Sequence, residues 1–164
     1  MYCIVLYKTY IFVQIHNQIN MRSILITCLL LAAGSTIAMA QCDKKVSLSS
    51  SKTQHWDPQG TLKHTDDEKV IVEFTKTDVT VSIDHDGGQQ KLTGKVKSDT
   101  CDWKTPFKEG RTRLHVTLSN DEGESRDYTL TLTGKDGKLS FMAESKDEPD
   151  DIIKLEIDKF EEKD

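Results

Sequence analysis

From Arg111 to Asp158 apolar and polar residues alternate with a period of two, and a one-sided antiparallel sheet is the fold that such a pattern permits. Leu114, Val116 and Leu118 face one way, with Arg113, His115 and Thr117 opposite. Tyr128, Leu130 and Leu132 then alternate with Thr129, Thr131 and Thr133, followed by Leu139, Phe141 and Ala143, and finally by Ile153, Leu155 and Ile157. Short polar segments separate the runs, so the spacing predicts four strands in a meander.

The same period, more weakly marked, continues upstream. Val46 and Leu48 begin a first strand, and the segment from Thr53 to Glu68 reads as a long polar loop carrying Trp56, Pro58 and Gly60. Val70, Val72 and Phe74 form a second strand, and a tight turn from Thr75 to Asp78 leads to Val79, Val81 and Ile83 in a third. Asp84-His85-Asp86-Gly87-Gly88 is a hairpin turn, since its glycines tolerate positive φ and a calcium loop would need further oxygen ligands at fixed spacing. Leu92, Gly94 and Val96 mark a fourth strand, with Gly94 a point where the sheet can bend. Ser98 to Gly110 loses the alternation and reads as a structured loop. Eight strands, each joined to its sequence neighbour, predict an all-β, eight-stranded antiparallel up-and-down barrel, with a β-sandwich as the alternative. A lipid-facing barrel would need longer strands with apolar faces outward, whereas here the second face is rich in Lys, Glu and Thr.

The first 40 residues belong to another class: they hold Lys8 and Arg22 but no Asp or Glu. Met21-Arg22-Ser23, the apolar run Ile24 to Ala33 and the small-x-small pattern Ala38-Met39-Ala40 have the anatomy of a signal peptide over residues 21–40. Residues 1–20 then read as an upstream extension, and residues 41–164 as a single domain. The apolar run is too short to span a membrane. Export to a periplasm or the extracellular space follows, with lipid anchoring through Cys42 as the alternative. Two of the chain's 22 basic residues and none of its 27 acids precede the cleavage point, so the remaining domain carries a net charge of −7. That balance argues against nucleic acid and anionic membrane as partners. Cys3 and Cys28 fall in the removed segment, leaving Cys42 and Cys101.

This chain resembles the lipocalin-like (calycin) proteins, particularly the small exported bacterial ones, over roughly Lys45 to Phe160. The resemblance is one of architecture: His55-Trp56-Asp57 holds a tryptophan without the glycine of that family's Gly-x-Trp signature. It implies a small apolar molecule carried inside the barrel, against which Val70, Val72, Phe74, Val79, Val81, Ile83, Leu114, Val116, Leu130 and Phe141 would pack. The alternative is an envelope structural or interaction domain whose same side chains fill a solid core. No nucleophile, base and orienting carboxylate fall into a recognisable arrangement and no cofactor motif appears, so an enzyme is not expected.

Strand parity sorts the loops of a meander barrel between its two ends. The segments Thr53 to Glu68, Asp84 to Gln90, Ser119 to Ser125 and Ser145 to Asp151 share one end, the mouth, which collects thirteen of the 27 acids together with His55, His64 and His85. Such a rim suits a basic partner or a divalent cation, with His55, His64, His85 and Asp86 as candidate ligands. At the other end the segment before the first strand meets Ser98 to Gly110, so Cys42 and Cys101 are expected to pair, and Trp103 and Phe107 to fold over that end as a plug.

Overall fold

The computed structural model describes residues 42–163, which hold nine strands and no helix. The upstream extension expected over residues 1–20, the signal peptide expected over residues 21–40, Cys3 and Cys28 lie outside the described residues. The strands are β1 (Lys45–Trp56), β2 (Leu62–Phe74), β3 (Asp78–His85), β4 (Gly88–Thr105), β5 (Glu109–Ser119), β6 (Ser125–Lys135), β7 (Lys138–Ser145), β8 (Ile152–Leu155) and β9 (Lys159–Lys163). Each pairs antiparallel with its neighbour from β1 to β8, and β1 closes the ring. Its upper half pairs with β8, Thr53 opposite Leu155, and its lower half with β9, Leu48 opposite Phe160. Nine strands thus occupy eight positions, the last shared by β8 and β9, and the result is a closed up-and-down barrel. Closure excludes the sandwich.

The break in the last position has a local cause on β1. A bulge between Ser50 and Lys52 interrupts its ladder with β2, and the buried Ser50 hydroxyl donates to the Lys52 carbonyl (2.6 Å) while accepting from Lys52 N–H (3.1 Å). Across the gap Asp158 donates its own N–H to the Ser49 carbonyl (2.9 Å), and its carboxylate accepts from Ser51 N–H (2.6 Å). The backbone groups freed by the bulge are therefore satisfied, as buried or half-buried groups require.

Alternation puts Val46, Leu48, Val72, Val116, Leu130 and Leu132 inside, each at most 2% exposed. Gly94 lets two strands approach closely, because a Cβ there would stand 2.0 Å from the Thr117 carbonyl oxygen. Leu62 is the large apolar side chain left exposed among the described residues.

Two segments expected as loops are strands. β1 runs on to Trp56 and β2 starts at Leu62, so the long loop from Thr53 to Glu68 shrinks to a turn around Asp57 to Thr61. Apart from Trp56 and Leu62 beside the turn, both faces of this extension are polar, since it rises above the apolar core, and without an apolar face the period of two is invisible. Likewise β4 extends through Thr105 and β5 begins at Glu109. Bulges between Val96 and Ser98 and between Trp103 and Thr105 shift which residues face inward and erase the alternation.

That second extension closes the lower end. Trp103 and Phe107 are buried at 6% and 8% exposure, with ring centroids 5.2 Å apart, and Phe107 meets Phe160 of β9 at 4.8 Å. The Trp103 indole N–H donates to Thr112 Oγ1 (2.8 Å), which satisfies its polar atom inside the plug. Gly134 leaves room for the indole: a Cβ there would come within 2.7 Å of its ring. Cys42 and Cys101 are disulfide-bonded beside the plug, with Cα atoms 6.1 Å apart and a sequence separation of 59. In the chain-entropy account a crosslink of that span contributes about 4 kcal/mol. The bond occupies the sulfur that a lipid anchor on Cys42 would need.

Candidate functional site: the open mouth of the barrel

At the end opposite the plug the barrel holds an open cavity of about 490 Å³. Its floor and walls are apolar, built by inward residues of successive strands: Val70 and Val72 of β2, Val81 and Ile83 of β3, Leu92 of β4, Leu118 of β5, Leu130 of β6, Phe141 and Ala143 of β7, and Ile153 and Leu155 of β8. Its rim is polar. On one side stand His55, Asp66, Glu68 and His85, on the other Asn120, Glu124, Arg126 and Tyr128.

Of the ten residues expected to face a ligand, Val70, Val72, Val81, Ile83, Leu130 and Phe141 line this cavity. Phe74, Val79, Leu114 and Val116 do not. They are buried in the core, and Phe74 and Leu114 lie against the disulfide end. The interior is thus filled near the plug and hollow near the mouth.

Two polar atoms deepen the picture. Thr53, 3% exposed, lines the cavity with its Oγ1 buried and lacking a hydrogen-bond partner among the described residues. A buried hydroxyl without a partner is uncommon enough to need a reason. Burial pushes the Tyr128 phenol up, keeping it a neutral donor and acceptor on the wall. Arg126 is raised by the charge of Glu148, to which its Nη1 donates at 2.5 Å.

The histidines divide into two groups. His55 and His64 face each other across β1 and β2, with parallel rings stacked 4.2 Å apart. Asp66, two residues along β2, lies on the same face, and its Oδ2 stands 3.4 Å from His55 Nε2 and 3.5 Å from His64 Nε2. Behind them His55 Nδ1 lies 2.8 Å from Asp151 Oδ2. Burial raises the Asp151 carboxyl, but the His55 hydrogen bond and the charges of His55 and Lys63 outweigh it and hold the group below its ordinary value. His85 lines the cavity from the β3–β4 hairpin and its Nδ1 accepts from Gly87 N–H (3.0 Å), while Asp86 is exposed in the turn. Neither joins the cluster of candidate ligand atoms, which among the described residues consists of His55, His64 and Asp66, all within 4.8 Å of one another.

Asp66 and Asp151 were not among the ligand candidates from sequence, yet a signal exists. A hairpin turning at Gly60 sets Thr53 opposite Asp66 and His55 opposite His64, and the spacing His64-x-Asp66 then puts three donors on one face. His115, expected outward on its strand, is exposed there and hydrogen-bonds Thr129 Oγ1 (3.1 Å).

Comparison with protein-family models, curated proteins and solved structures returns no match to this chain.

Proposed function

We propose that the protein is an exported, lipocalin-like carrier that holds one small, mainly apolar ligand in the mouth of its barrel. The observation that carries this reading is the 490 Å³ cavity, apolar at its floor and polar at its rim, in a barrel plugged at the other end. Volumes of roughly 300–1,000 Å³ are those of small-molecule pockets, and orientation in such pockets comes from a few polar groups. Thr53 Oγ1, buried and without a partner, and Tyr128 supply such groups on the wall. The disulfide between Cys42 and Cys101 is consistent with export. The ligand enters and leaves through the mouth.

The test uses the neutral fluorescent probe N-phenyl-1-naphthylamine. Titration of the wild-type protein is expected to give saturable fluorescence enhancement at one site per barrel. Ala143→Phe and Leu92→Trp each add bulk to the cavity wall, and each is expected to weaken binding at least tenfold while the far-ultraviolet circular dichroism stays unchanged. No saturable binding, or equal binding by both folded variants, refutes the carrier reading.

A further inference from the structure

We propose that His55, His64 and Asp66 form a binding site for a divalent transition metal ion of the zinc class at the rim of the mouth. The inference does not depend on the carrier reading, since it rests on the geometry of the β1–β2 extension alone.

Three observations converge. The first is spacing. Zinc bound tetrahedrally at about 2.0–2.1 Å separates its donor atoms by about 3.4 Å. His55 Nε2 to Asp66 Oδ2 is 3.4 Å and His64 Nε2 to Asp66 Oδ2 is 3.5 Å, and no donor pair in the cluster is farther apart than 4.8 Å. Two donor separations thus already match, and the exposed His64 ring has to rotate out of its stack with His55 for both imidazole lone pairs to converge on one ion.

The second is donor chemistry. His55 Nε2, His64 Nε2 and Asp66 Oδ2 face one another while the other ring nitrogen of His55 is engaged by Asp151 Oδ2, 2.8 Å away. Neutral imidazoles and a carboxylate can all donate lone pairs to one metal ion.

The third is support from behind. A histidine that ligates metal commonly donates its other N–H to a carboxylate, which fixes the tautomer and aims the ring, and Asp151 holds His55 in this way. His55 is only 16% exposed at its side chain, so its ring is held in place, whereas His64 and Asp66, at 55% and 51%, are open to an arriving ion. Two imidazoles with one carboxylate favour zinc or copper over calcium or magnesium, which prefer oxygen donors alone. Since His55 and Asp66 both line the cavity, the ion stands at its rim.

Calorimetric titration of the purified protein, carrying no histidine tag, with zinc chloride tests the proposal. One ion per barrel is expected, bound at micromolar strength or tighter and not displaced by millimolar calcium. His64→Gln and Asp66→Asn alter exposed side chains and are expected to fold normally by circular dichroism while weakening binding at least tenfold. Asp151→Asn, a positioning change, is expected to weaken it ~10–100-fold. Wild-type binding no tighter than millimolar, wild-type strength retained by either His64→Gln or Asp66→Asn, or displacement by calcium overturns the proposal.

Discussion

Asp127 stands on the outer face of β6, where its Oδ1 accepts from Lys97 Nζ of β4 (2.7 Å) and from Thr117 Oγ1 of β5 (2.5 Å). The Lys97 hydrogen bond first, and then the Thr117 hydroxyl, lower its carboxyl from 3.8 to about 2. A carboxyl depressed in the folded state contributes stability above its unfolded value and loses it as pH falls through the folded one. The contribution is therefore complete above pH ~4 and fades towards pH ~2. Asp127→Asn should be less stable than wild type in urea denaturation at pH 6, and the two curves should converge by pH 2; a gap that stays constant across that range would show that the ionised carboxylate is not what ties these strands. Nothing in the sequence marks this residue, because it is one of many polar side chains on an outward face. Its partners are revealed only by the pairing of Thr117 with Asp127 and by the Val96–Ser98 bulge that brings Lys97 alongside.

At the scale of elements, the strands that pack against the core were legible and those beyond it were not. Leu114, Val116 and Leu118, or Val79, Val81 and Ile83, announce their strands because one face is buried and the other is wet. The tops of β1 and β2 carry polar residues on both faces, and the end of β4 is displaced by two bulges, so the period of two fails in each. Those same stretches carry the histidine cluster and the plug. In the plug, residue type succeeded where periodicity failed: Trp103 and Phe107 are too large and apolar to be left in water, and parity placed them at the lower end. Replacing Trp103 with Ala removes its contacts with Phe107 and Gly134 and leaves Thr112 Oγ1 without its donor. A loss of about 3–5 kcal/mol is expected by urea denaturation. A change within about 0.5 kcal/mol, the scale of an ordinary surface substitution, would contradict the plug.

For the whole molecule, barrel closure and the sharing of loops between two ends followed from the meander, and with them the pairing of Cys42 and Cys101. The extent of filling did not. A period of two states which residues point inward but not how far apart the opposite walls stand, so Leu114 and Leu130, direct neighbours across β5 and β6, carry the same signal although only Leu130 reaches the cavity. The histidine cluster was likewise half legible: the histidines of the mouth stood out, but which of them meet depends on the hairpin register that pairs His55 with His64 and leaves His85 on another strand. The barrel is filled at its plugged end and hollow at its mouth, where the proposed carrier would hold its ligand. Methyl nuclear magnetic resonance of the protein titrated with decanol tests it most directly. Chemical-shift changes are expected at Val70, Val72, Val81, Ile83 and Leu130, with Val46, Val79 and Leu114 little affected. Shifts confined to residues of the plugged end, or to the outer face, or none at all at saturating decanol, would contradict it.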